Sequence, residues 1–415
     1  MFDRSGFRGW WIVGVAFATQ AVSIGCSIGT FSLFIKSIVE EFGTSYAEVN
    51  AGIAVMTVMM TGAGPIVGPM LDRRSIRGVM LIGAGLCSSS LLLLSFSSEL
   101  WQLGLLFGVS LAVGVAMLGP LASATVVAKW FESKRGRALG IANMGAPAGP
   151  FFFAPLAGWL IDAVGWRSTL QVYAGLSLLV MPLIALVIRN QPSDLGQVPD
   201  GGTGSTLPMP PHQGSSDRPG PADAMGLVRD RNFWAIALAI GIVFGVGTGW
   251  NAQIVPFASD LGIEARSAAL AVGLTAGVAI LGTLLFGTLA DTVSHRGLLW
   301  SLIAAQIVAF AAFRTLPSPT VFYALLSFFA LAAGGFLPVY ASLVARTFGP
   351  ASFGRVMGTA GLVMLPFGFA APIVAGALRD AAGSYTSAFS VFIVSFAVSA
   401  AVLLLVRLPV GARRE

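Results

Sequence analysis

The sequence contains few charged residues. They make up 10% of its 415 residues, whereas a soluble globular domain carries about 25%. Hydrophobic residues, in contrast, make up 56% of the chain. A chain with so little charge cannot cover a folded surface with groups that water solvates, so the composition excludes a soluble globular domain. It predicts a protein that is surrounded by lipid.

The sequence also has only two histidines and two cysteines. Cys26 and Cys87 lie in apolar stretches without metal-ligand spacing, and His212 and His295 fall in segments that we expect to be loops. We therefore expect no metal site and no cofactor, and we interpret both cysteines as small buried apolar residues. The apolar stretches offer no convergent nucleophile, base or metal ligand, which argues against an enzyme.

Long apolar stretches recur along the chain, without the alternating pattern of a membrane barrel. About 20 helical residues cross a hydrocarbon core that is about 30 Å thick. The first stretch is too long for a signal peptide, so we expect it to stay as a helix. We predict an all-α membrane protein with twelve transmembrane helices, near residues 10–35, 49–71, 79–97, 101–128, 138–160, 169–188, 232–258, 268–290, 297–313, 320–344, 356–378 and 386–406.

Residues 189–231 interrupt this series with seven prolines among glycine, serine and aspartate. Such a composition cannot bury a core, so we expect a flexible tether; a regulatory segment is the alternative, but no motif favours it. The chain then divides into an N-terminal six-helix bundle (1–188), this linker (189–231) and a C-terminal six-helix bundle (232–415).

The basic residues fall mainly on one side of the predicted membrane protein. If successive helices alternate in direction, all but five of the 24 lysines and arginines lie on the side of the linker and of both termini. Cytoplasmic loops are enriched in lysine and arginine, so we predict that the linker and both termini are cytoplasmic. This topology also explains the net charge of +6 without nucleic acid as a partner.

The two halves of the chain repeat each other. Glycines, aspartates and arginines recur at a nearly constant offset, as in Gly68 and Gly287, Asp72 and Asp291, Gly136-Arg137 and Gly354-Arg355, Gly140 and Gly358, and Pro120 and Pro338. Duplicated bundles of membrane helices hold a solute between the halves, near the midplane, and transport it by rocking. We therefore expect a pseudo-symmetric transporter.

The segment from Gly68 to Gly78, between the second and third spans, resembles the signature loop of the major facilitator superfamily. The segment Gly287–Asp291 looks like a degenerate copy of it. The resemblance implies a fold of six plus six helices over essentially the whole chain.

We interpret six residues of these segments as a conformational gate. Gly68 would let two helices approach closely, and Asp72 would accept hydrogen bonds at a helix end and pair with basic residues of the next segment of its bundle. A short basic turn that only fixes topology is the alternative, but it does not explain the recurring glycine and aspartate. The gate residues are Gly68, Asp72, Arg73, Arg137, Asp291 and Arg355.

Two further segments, Arg8–Val13 and Trp130–Gly149, resemble the monocarboxylate transporters and the bacterial oxalate:formate antiporters. The resemblance implies a small organic acid as the solute, and we place the protein in the inner membrane of a bacterial cell. The family carries a lysine in its first helix and an Asp/Arg pair in its eighth, but here Gly29 stands at the first position and Ala268–Leu289 has no charged residue. We therefore expect polar and aromatic contacts instead of a buried cation, and disfavour small dianions.

The spans contain several polar and aromatic residues that are candidates for solute binding. Each also has a plain alternative, such as packing between helices. We expect a helix break at Gly245, Gly247 and Gly249 in span seven, and breaks at Pro120 and Pro338 that act as hinges or as static kinks. The candidates are Gln20, Ser23, Ser27 and Phe31 in span one, Asn143 in span five, Trp250, Asn251 and Gln253 in span seven, and Tyr340 in span ten.

Together these features predict a secondary active transporter for a monocarboxylate or a partly apolar or aromatic carboxylate. The alternative is an uptake or efflux transporter for a neutral or amphipathic small molecule. No Asp, Glu or His lies deep in a span, so the sequence is compatible with proton symport, exchange and uniport. Apart from the solute, a proton in the case of symport, and lipid, we expect no partner and a monomeric protein.

Overall fold

In lipid, a polypeptide backbone must satisfy its own hydrogen bonds, and apolar stretches do so as helices. The computed structural model describes residues 7–44, 46–201, 224–263, 265–315 and 318–406. His212, most of the linker and both chain ends lie outside the described residues. In the first half the helices are α1 (Gly9–Gly25), α2 (Ile35–Phe42), α3 (Tyr46–Gly62), α4 (Gly64–Arg73), α5 (Ile76–Leu94), α6 (Leu100–Leu105), α7 (Ala112–Leu118), α8 (Pro120–Trp130), α9 (Arg135–Asn143) and α10 (Gly145–Val187).

The second half is built from longer, unbroken helices. A short helix, α11 (Ala224–Val228), precedes it. The helices of the second half are α12 (Arg231–Asp260), α13 (Ala265–Leu289), α14 (His295–Phe313), α15 (Pro319–Phe348), α16 (Phe353–Ala382) and α17 (Thr386–Leu403).

These helices account for the twelve expected spans. Within the described residues, nine helical segments are long and apolar enough to cross a membrane, and Gly9–Gly25 and Gly273–Leu289 are shorter apolar helices. One of the nine, Arg135–Val187, contains two spans, because Gly165 leaves the helical conformation with φ 83° and ψ 162°. Glycine adopts this conformation without a steric penalty, and it lets the chain turn from one span into the next.

The spans form two bundles of six. In the first, α1 packs against α8 and α10, and α5 packs against α7 and α10. In the second, α12 packs against α16 and α17, and α13 packs against α15. The bundles contact each other mainly through two helix pairs, α4 with α16 and α9 with α13. The expected all-α architecture of two six-helix bundles is confirmed.

Helix breaks occur in the first half, and not at the positions that we expected in the second. Span one is interrupted after Gly25 by a turn over residues 26–30, and Pro120 begins α8 after a break at Gly119. The expected breaks at Gly245–Gly249 and at Pro338 are wrong, since α12 and α15 run through them. Gly245 and Gly249 serve close packing instead: a Cβ on Gly245 would lie 2.8 Å from the Phe367 Cβ, and a Cβ on Gly249 would lie 3.1 Å from the Ala371 Cβ. A Cβ on Gly247 would meet no neighbour within 4 Å.

One irregular turn explains why the repeat offset changes along the chain. Ser75 and Ser294 occupy equivalent positions of the repeat. Their hydroxyl oxygens cap α5 and α14 by accepting hydrogen bonds from the N–H groups of Gly78 and Gly297. Pro120 and Pro338, beyond that point, are separated by one residue less than the two serines. Between Ser75 and Pro120, residues 106–111 of the first half form a π-helical turn, and α15 of the second half has no such turn. A π-helical turn accommodates one additional residue, which matches the change of offset.

The first part of the linker is not the flexible tether that we expected. Its residues 192–195 and 199–201 form 3₁₀ turns. The side-chain oxygen of Asn190 accepts hydrogen bonds from the Ser75 hydroxyl and the Arg77 N–H, and the Trp130 indole donates to the Arg189 carbonyl. Composition alone did not predict these contacts, because they depend on the loops of the first bundle. Residues 189–201 therefore belong structurally to the first half.

The side chains of His295 and both cysteines are buried. The burial of Cys26 and Cys87 agrees with their interpretation as small apolar residues. The expectation that His295 lies in a loop is wrong: it begins α14, and its Nε2 lies 2.8 Å from the Ser342 hydroxyl on α15. The sequence did not reveal this contact because Ser342 is far away in the chain.

Candidate functional site

Asp72, at the end of α4, contacts the first turn of α16 in the other half. Its carboxylate accepts hydrogen bonds from the backbone N–H groups of Gly354 (3.0 Å) and Arg355 (2.8 Å). The first N–H groups of a helix have no partner within the helix, and the helix dipole favours negative charge there. Asp72 therefore joins the two halves by capping a helix of the opposite bundle.

Asp291 makes the same contact in the reverse direction. It follows α13, and its carboxylate accepts hydrogen bonds from the N–H groups of Gly136 (2.5 Å) and Arg137 (2.9 Å) at the start of α9. Burial raises the pKa of Asp291, although the two N–H donors favour its charged form. The two contacts lie at the end of the molecule that carries the ordered part of the linker, which we call the linker end.

Glycines let the helix pairs at the linker end approach closely. A Cβ on Gly68 would lie 2.2 Å from the Gly354 carbonyl oxygen, and a Cβ on Gly287 would lie 2.7 Å from the Gly140 Cα. Such distances are shorter than any normal contact, so a larger residue would push the halves apart. The recurring glycines and aspartates of the sequence thus form one pair of reciprocal contacts.

The arginines near these contacts have different surroundings. Arg73 is exposed, the Arg137 guanidinium lies 5.6 Å from the Trp10 ring, and Arg355 is largely buried. The two hydrogen bonds of Asp72 come from the backbone of the other half. The basic side chains of Arg355 and Lys129 interact with it through their charges. The roles of the three arginines in a gate stay predictions.

Lys129, which the sequence did not single out, lies beside Asp72. Its ammonium donates a hydrogen bond of 3.1 Å to the Leu71 carbonyl, and its charge interacts with that of Asp72. The one signal in the sequence was its position in the last turn of a span. The ammonium of a lysine there must either bind a nearby acceptor or reach water.

Two of the candidate binding residues, Gln20 on α1 and Asn143 at the end of α9, form a buried amide pair. The Gln20 Nε2 donates to the Asn143 Oδ1 over 3.2 Å. The Gln20 Oε1 and the Asn143 Nδ2 are buried without a hydrogen-bond partner. Buried polar atoms normally have a partner, because an unsatisfied one costs about 1–3 kcal/mol. The pair thus presents one free acceptor and one free donor.

The serines of span one mostly satisfy themselves. Ser23 donates to the Gln20 carbonyl over 3.2 Å, and the Ser27 hydroxyl donates to the Ser23 carbonyl. Both side chains are buried. Ser23 lies on α1 near Gln20, and Ser27 lies in the turn after α1. They are consistent with packing as well as with binding, so their role stays a prediction.

The candidates of the second half lie in three different environments. Asn251 is exposed and donates to the Gly247 carbonyl of its own helix, and the Gln253 Oε1 accepts a hydrogen bond from the Tyr385 hydroxyl. The Tyr340 hydroxyl is buried without a hydrogen-bond partner. Of these three, only Tyr340 therefore resembles Gln20 and Asn143 in presenting a free buried polar group.

Trp250 lies in the core of the second half. Its side chain has no exposed surface and packs against rings of Phe310, Phe313 and Phe389, with centroid distances of 5.5, 4.9 and 5.7 Å. We expected it to cover an aromatic or aliphatic solute, but an aromatic side chain so enclosed contributes to packing. Its indole Nε1 is buried without a hydrogen-bond partner, so its role in binding stays a prediction.

A cavity of about 80 Å³ lies inside the first half, at the end away from the linker. Ser27 and Phe31, two of the binding candidates, belong to its lining, and the Phe31 ring stacks on Phe107 with a centroid distance of 4.0 Å. The remaining lining is almost entirely apolar. Both candidates therefore face a space within one bundle.

The second half fills the corresponding space with aromatic rings. At the offset that relates Ser75 to Ser294, four aliphatic residues that line the cavity correspond to fully buried phenylalanines. The smaller aliphatic side chains leave space in the first half where, among the described residues, the rings of the second half pack. The pairs are Ile38 and Phe257, Leu91 and Phe310, Leu94 and Phe313, and Leu103 and Phe322.

At the end away from the linker, each bundle has an arginine–carboxylate ion pair. Arg167 pairs with Glu41 (2.7 Å), and Arg379 pairs with Asp260 (3.0 Å). Hydrogen bonds from Arg167 hold the pKa of Glu41 below its usual range, so this carboxyl stays charged near neutral pH. The offset that relates Ser75 to Ser294 also relates Glu41 to Asp260, a repeat that the sequence concealed because the residue type differs.

Comparison with known proteins gives a consistent result. The model of the Major Facilitator Superfamily matches residues 16–363 and 251–415. Monocarboxylate transporter 2 of Mesocricetus auratus is 26% identical over 92% of this chain and 80% of its own length. Monocarboxylate transporter 13 of Bos taurus is 25% identical over 93% of this chain and 86% of its own length.

A solved structure supports the fold independently of sequence. The proton:xylose symporter XylE, bound to 6-bromo-6-deoxy-D-glucose, superposes with a TM-score of 0.78 at 16% identity, over 99% of this chain and 98% of that one. At this identity the likeness shows the fold alone.

The linker-end contacts yield a first prediction. In the double variant Asp72→Asn/Asp291→Asn, we expect the linker end to separate more often, because each neutral amide forfeits about 1 kcal/mol of charge–dipole attraction. Spin labels on cysteines that replace the exposed Arg74 and Ala351 should report longer distances. Asp162→Asn, at the opposite end, is the control; identical distance distributions in the double variant and the wild type would refute the contacts' role.

The cavity yields a second prediction. Leu94→Phe should fill the space as Phe313 does in the other half and should stabilise the protein by about 1 kcal/mol, since filling a cavity restores packing contacts. The reciprocal change, Phe313→Leu, should destabilise the protein. The midpoint of thermal unfolding of the purified protein measures both. A lower midpoint for Leu94→Phe would show that the cavity does not accept a ring.

Proposed function

The chain belongs to the Major Facilitator Superfamily, and from this premise we propose that it is a secondary active transporter that moves a small organic acid across the membrane by alternating access. It is a multi-pass membrane transporter and not an enzyme, as its family, its relatives and its structural likeness agree. The observation that carries the organic acid as solute is the similarity to monocarboxylate transporters over more than nine tenths of the chain.

The reciprocal aspartate contacts support the mechanism. Alternating access requires contacts between the halves that form at one end and break when that end opens. Asp72 and Asp291 join the halves at the linker end through hydrogen bonds that separation would break without disrupting either bundle. We infer that they close the linker end in this state, and that Gly68, Arg73, Arg137 and Arg355 belong to the same gate.

The buried amide pair supports recognition of a carboxylate without a fixed cation. Asn143 is seven residues from Gly136, which places the pair about 10 Å from the Asp291 contact along the helix. We infer that the solute carboxylate accepts a hydrogen bond from the free amide N–H of the pair and that the Tyr340 hydroxyl supplies another. Hydrogen bonds to a charged group contribute about 1.5–3 kcal/mol, more than those between neutral groups. The secondary candidates are Ser23, Ser27, Trp250, Asn251, Gln253 and Phe31.

The surroundings of Gly29 are consistent with a site that lacks the family's lysine. A Cβ on Gly29 would lie 2.6 Å from the Pro150 Cγ and 2.8 Å from the Ile24 carbonyl oxygen. A side chain at this position would therefore force α1 and α10 apart. We infer that this transporter binds its acid through amides and hydroxyls, which favours monocarboxylates with an apolar part over dianions.

We further propose that the protein lies in the inner membrane of a bacterial cell, with both termini in the cytoplasm, and acts as a monomer. The excess of basic residues at the linker end supports this orientation. Proton symport is the coupling that we favour, with the proton and the acid moving together. Glu41 is a poor proton carrier, because its pairing with Arg167 favours the charged form of this carboxyl.

Uptake into proteoliposomes tests the solute class. We expect labelled monocarboxylates with an aliphatic or aromatic part to accumulate, dicarboxylates to be transported poorly, and a pH gradient, acidic outside, to increase accumulation. Accumulation of the neutral analogues alone, with no acid transported under any gradient, would favour the alternative of a transporter for neutral or amphipathic compounds.

Variants of the amide pair test the site. Asn143→Leu should raise the KM for the transported acid about tenfold or more, because it removes about 1.5 kcal/mol of hydrogen bonding to a charged group. Gln20→Leu should also raise the KM, because it removes the amide donor that holds the Asn143 side chain in place. Tyr340→Phe, which removes only the hydroxyl, should act in the same direction. Gln306→Leu is a matched control, because Gln306 is also a buried amide but lies on α14. Unchanged KM values in all three site variants would exclude this site.

A further inference from the structure

The linker returns to the first half at Asp200 and contacts the loop before α9. The Asp200 carboxylate accepts hydrogen bonds from the backbone N–H groups of Glu132 (3.0 Å), Ser133 (2.6 Å) and Lys134 (3.2 Å). The Ser133 hydroxyl donates a fourth, over 3.0 Å. Three successive N–H groups that point at one carboxylate form an anion-binding nest. This nest is occupied by the protein's own linker.

The nest adjoins the linker-end contact between the halves. The next N–H groups along the chain, those of Gly136 and Arg137, bind Asp291 of the second half. The start of α9 is therefore held by two carboxylates, one from the linker and one from the opposite bundle. The buried Arg135 interacts with both charges and offsets their mutual repulsion.

The backbone of Asp200 indicates that these contacts fix its position. Asp200 has φ 61° and ψ 5°, and among the described residues other than glycine it alone has a positive φ. A left-handed conformation costs a residue with a side chain about 1–2 kcal/mol. Aspartate tolerates it better than most residues, and the four hydrogen bonds of the carboxylate offset the cost.

In the corresponding loop of the second half, all of whose residues the structure describes, this nest has no counterpart. At the offset that relates Pro120 to Pro338, Glu132 and Ser133 correspond to Pro350 and Ala351, and proline has no N–H to donate. The start of α16 receives Asp72, but the loop before it is not built to bind another carboxylate. The nest is therefore a feature of the first half that matches the linker.

From this geometry we propose that Asp200 is a positioning residue of the gate: by binding the loop at residues 132–134, it holds the start of α9 where Asp291 can reach it. The inference rests on the alternating-access mechanism proposed above and adds the linker to it. The linker then acts on the gate through the loop and α9, without contact with the solute. The described part of the linker, which begins at the end of α10, therefore ends beside the gate.

Three linker variants test this role. Asp200→Ala removes the carboxylate, and Asp200→Asn keeps the shape but not the charge. Asp194→Ala is a matched control, because Asp194 caps Asn190 and Gln191 within the linker and is not among the acceptors of the loop before α9. The spin-label pair at positions 74 and 351 reports separation of the linker end without any solute, so this readout stays valid even if no organic acid is transported.

We expect both Asp200 variants to increase the ratio of long to short label distances about threefold, the effect of losing one charge at a helix N terminus. The control variant should leave this ratio unchanged. With a transported acid as substrate, kcat should change while KM stays within about twofold of the wild-type value. The proposal is overturned if limited proteolysis shows that the linker is released in Asp200→Ala while the label distances stay those of the wild type.

Discussion

The two halves depend on one kind of interaction where they meet, the binding of a carboxylate to the first N–H groups of a helix in the opposite bundle. Each half supplies one acceptor, Asp72 or Asp291, and one helix start, α16 or α9. The contact requires the helices to approach closely, which is why glycines stand one turn away on both sides. Such hydrogen bonds are strong where water is excluded, and breaking them leaves the fold of both bundles intact.

The pseudo-symmetry stops at the interior of the bundles. The second half has unbroken helices around a core of aromatic rings, whereas the first has helix breaks, a π-helical turn and a cavity lined by aliphatic side chains at the corresponding positions. Close-packed interiors resist deformation. We therefore expect the second half to resist deformation more than the first half, which also carries the amide pair and binds the linker.

Much of the scaffold could be predicted from the sequence, because apolar length, basic residues and recurring Gly and Asp are local signals. Contacts between distant segments could not. Asp72 was recognised as an acceptor at a helix end, but the helix of the opposite half that it caps was not, since hydrogen bonds to backbone leave no trace in side-chain identity. The helix break expected at Gly245 and Gly249 was wrong for a related reason: glycines serve a helix break or close packing, and tertiary structure decides which. Asp200 looked like one polar residue of a tether.

The nature of the site follows from what the helices of the first half can accommodate. The turn after Gly25 brings Gly29 against Pro150, so a side chain at that position would require this turn or α10 to shift. A buried cation would also need a partner whenever the solute leaves, and an unpaired charge is far more costly in a membrane interior than an unpaired amide. Gln20 and Asn143 satisfy each other in part and keep one donor and one acceptor free. An amide pair can therefore bind a carboxylate and release it, with a modest difference between the occupied and the empty state, which suits a carrier that must pass through both.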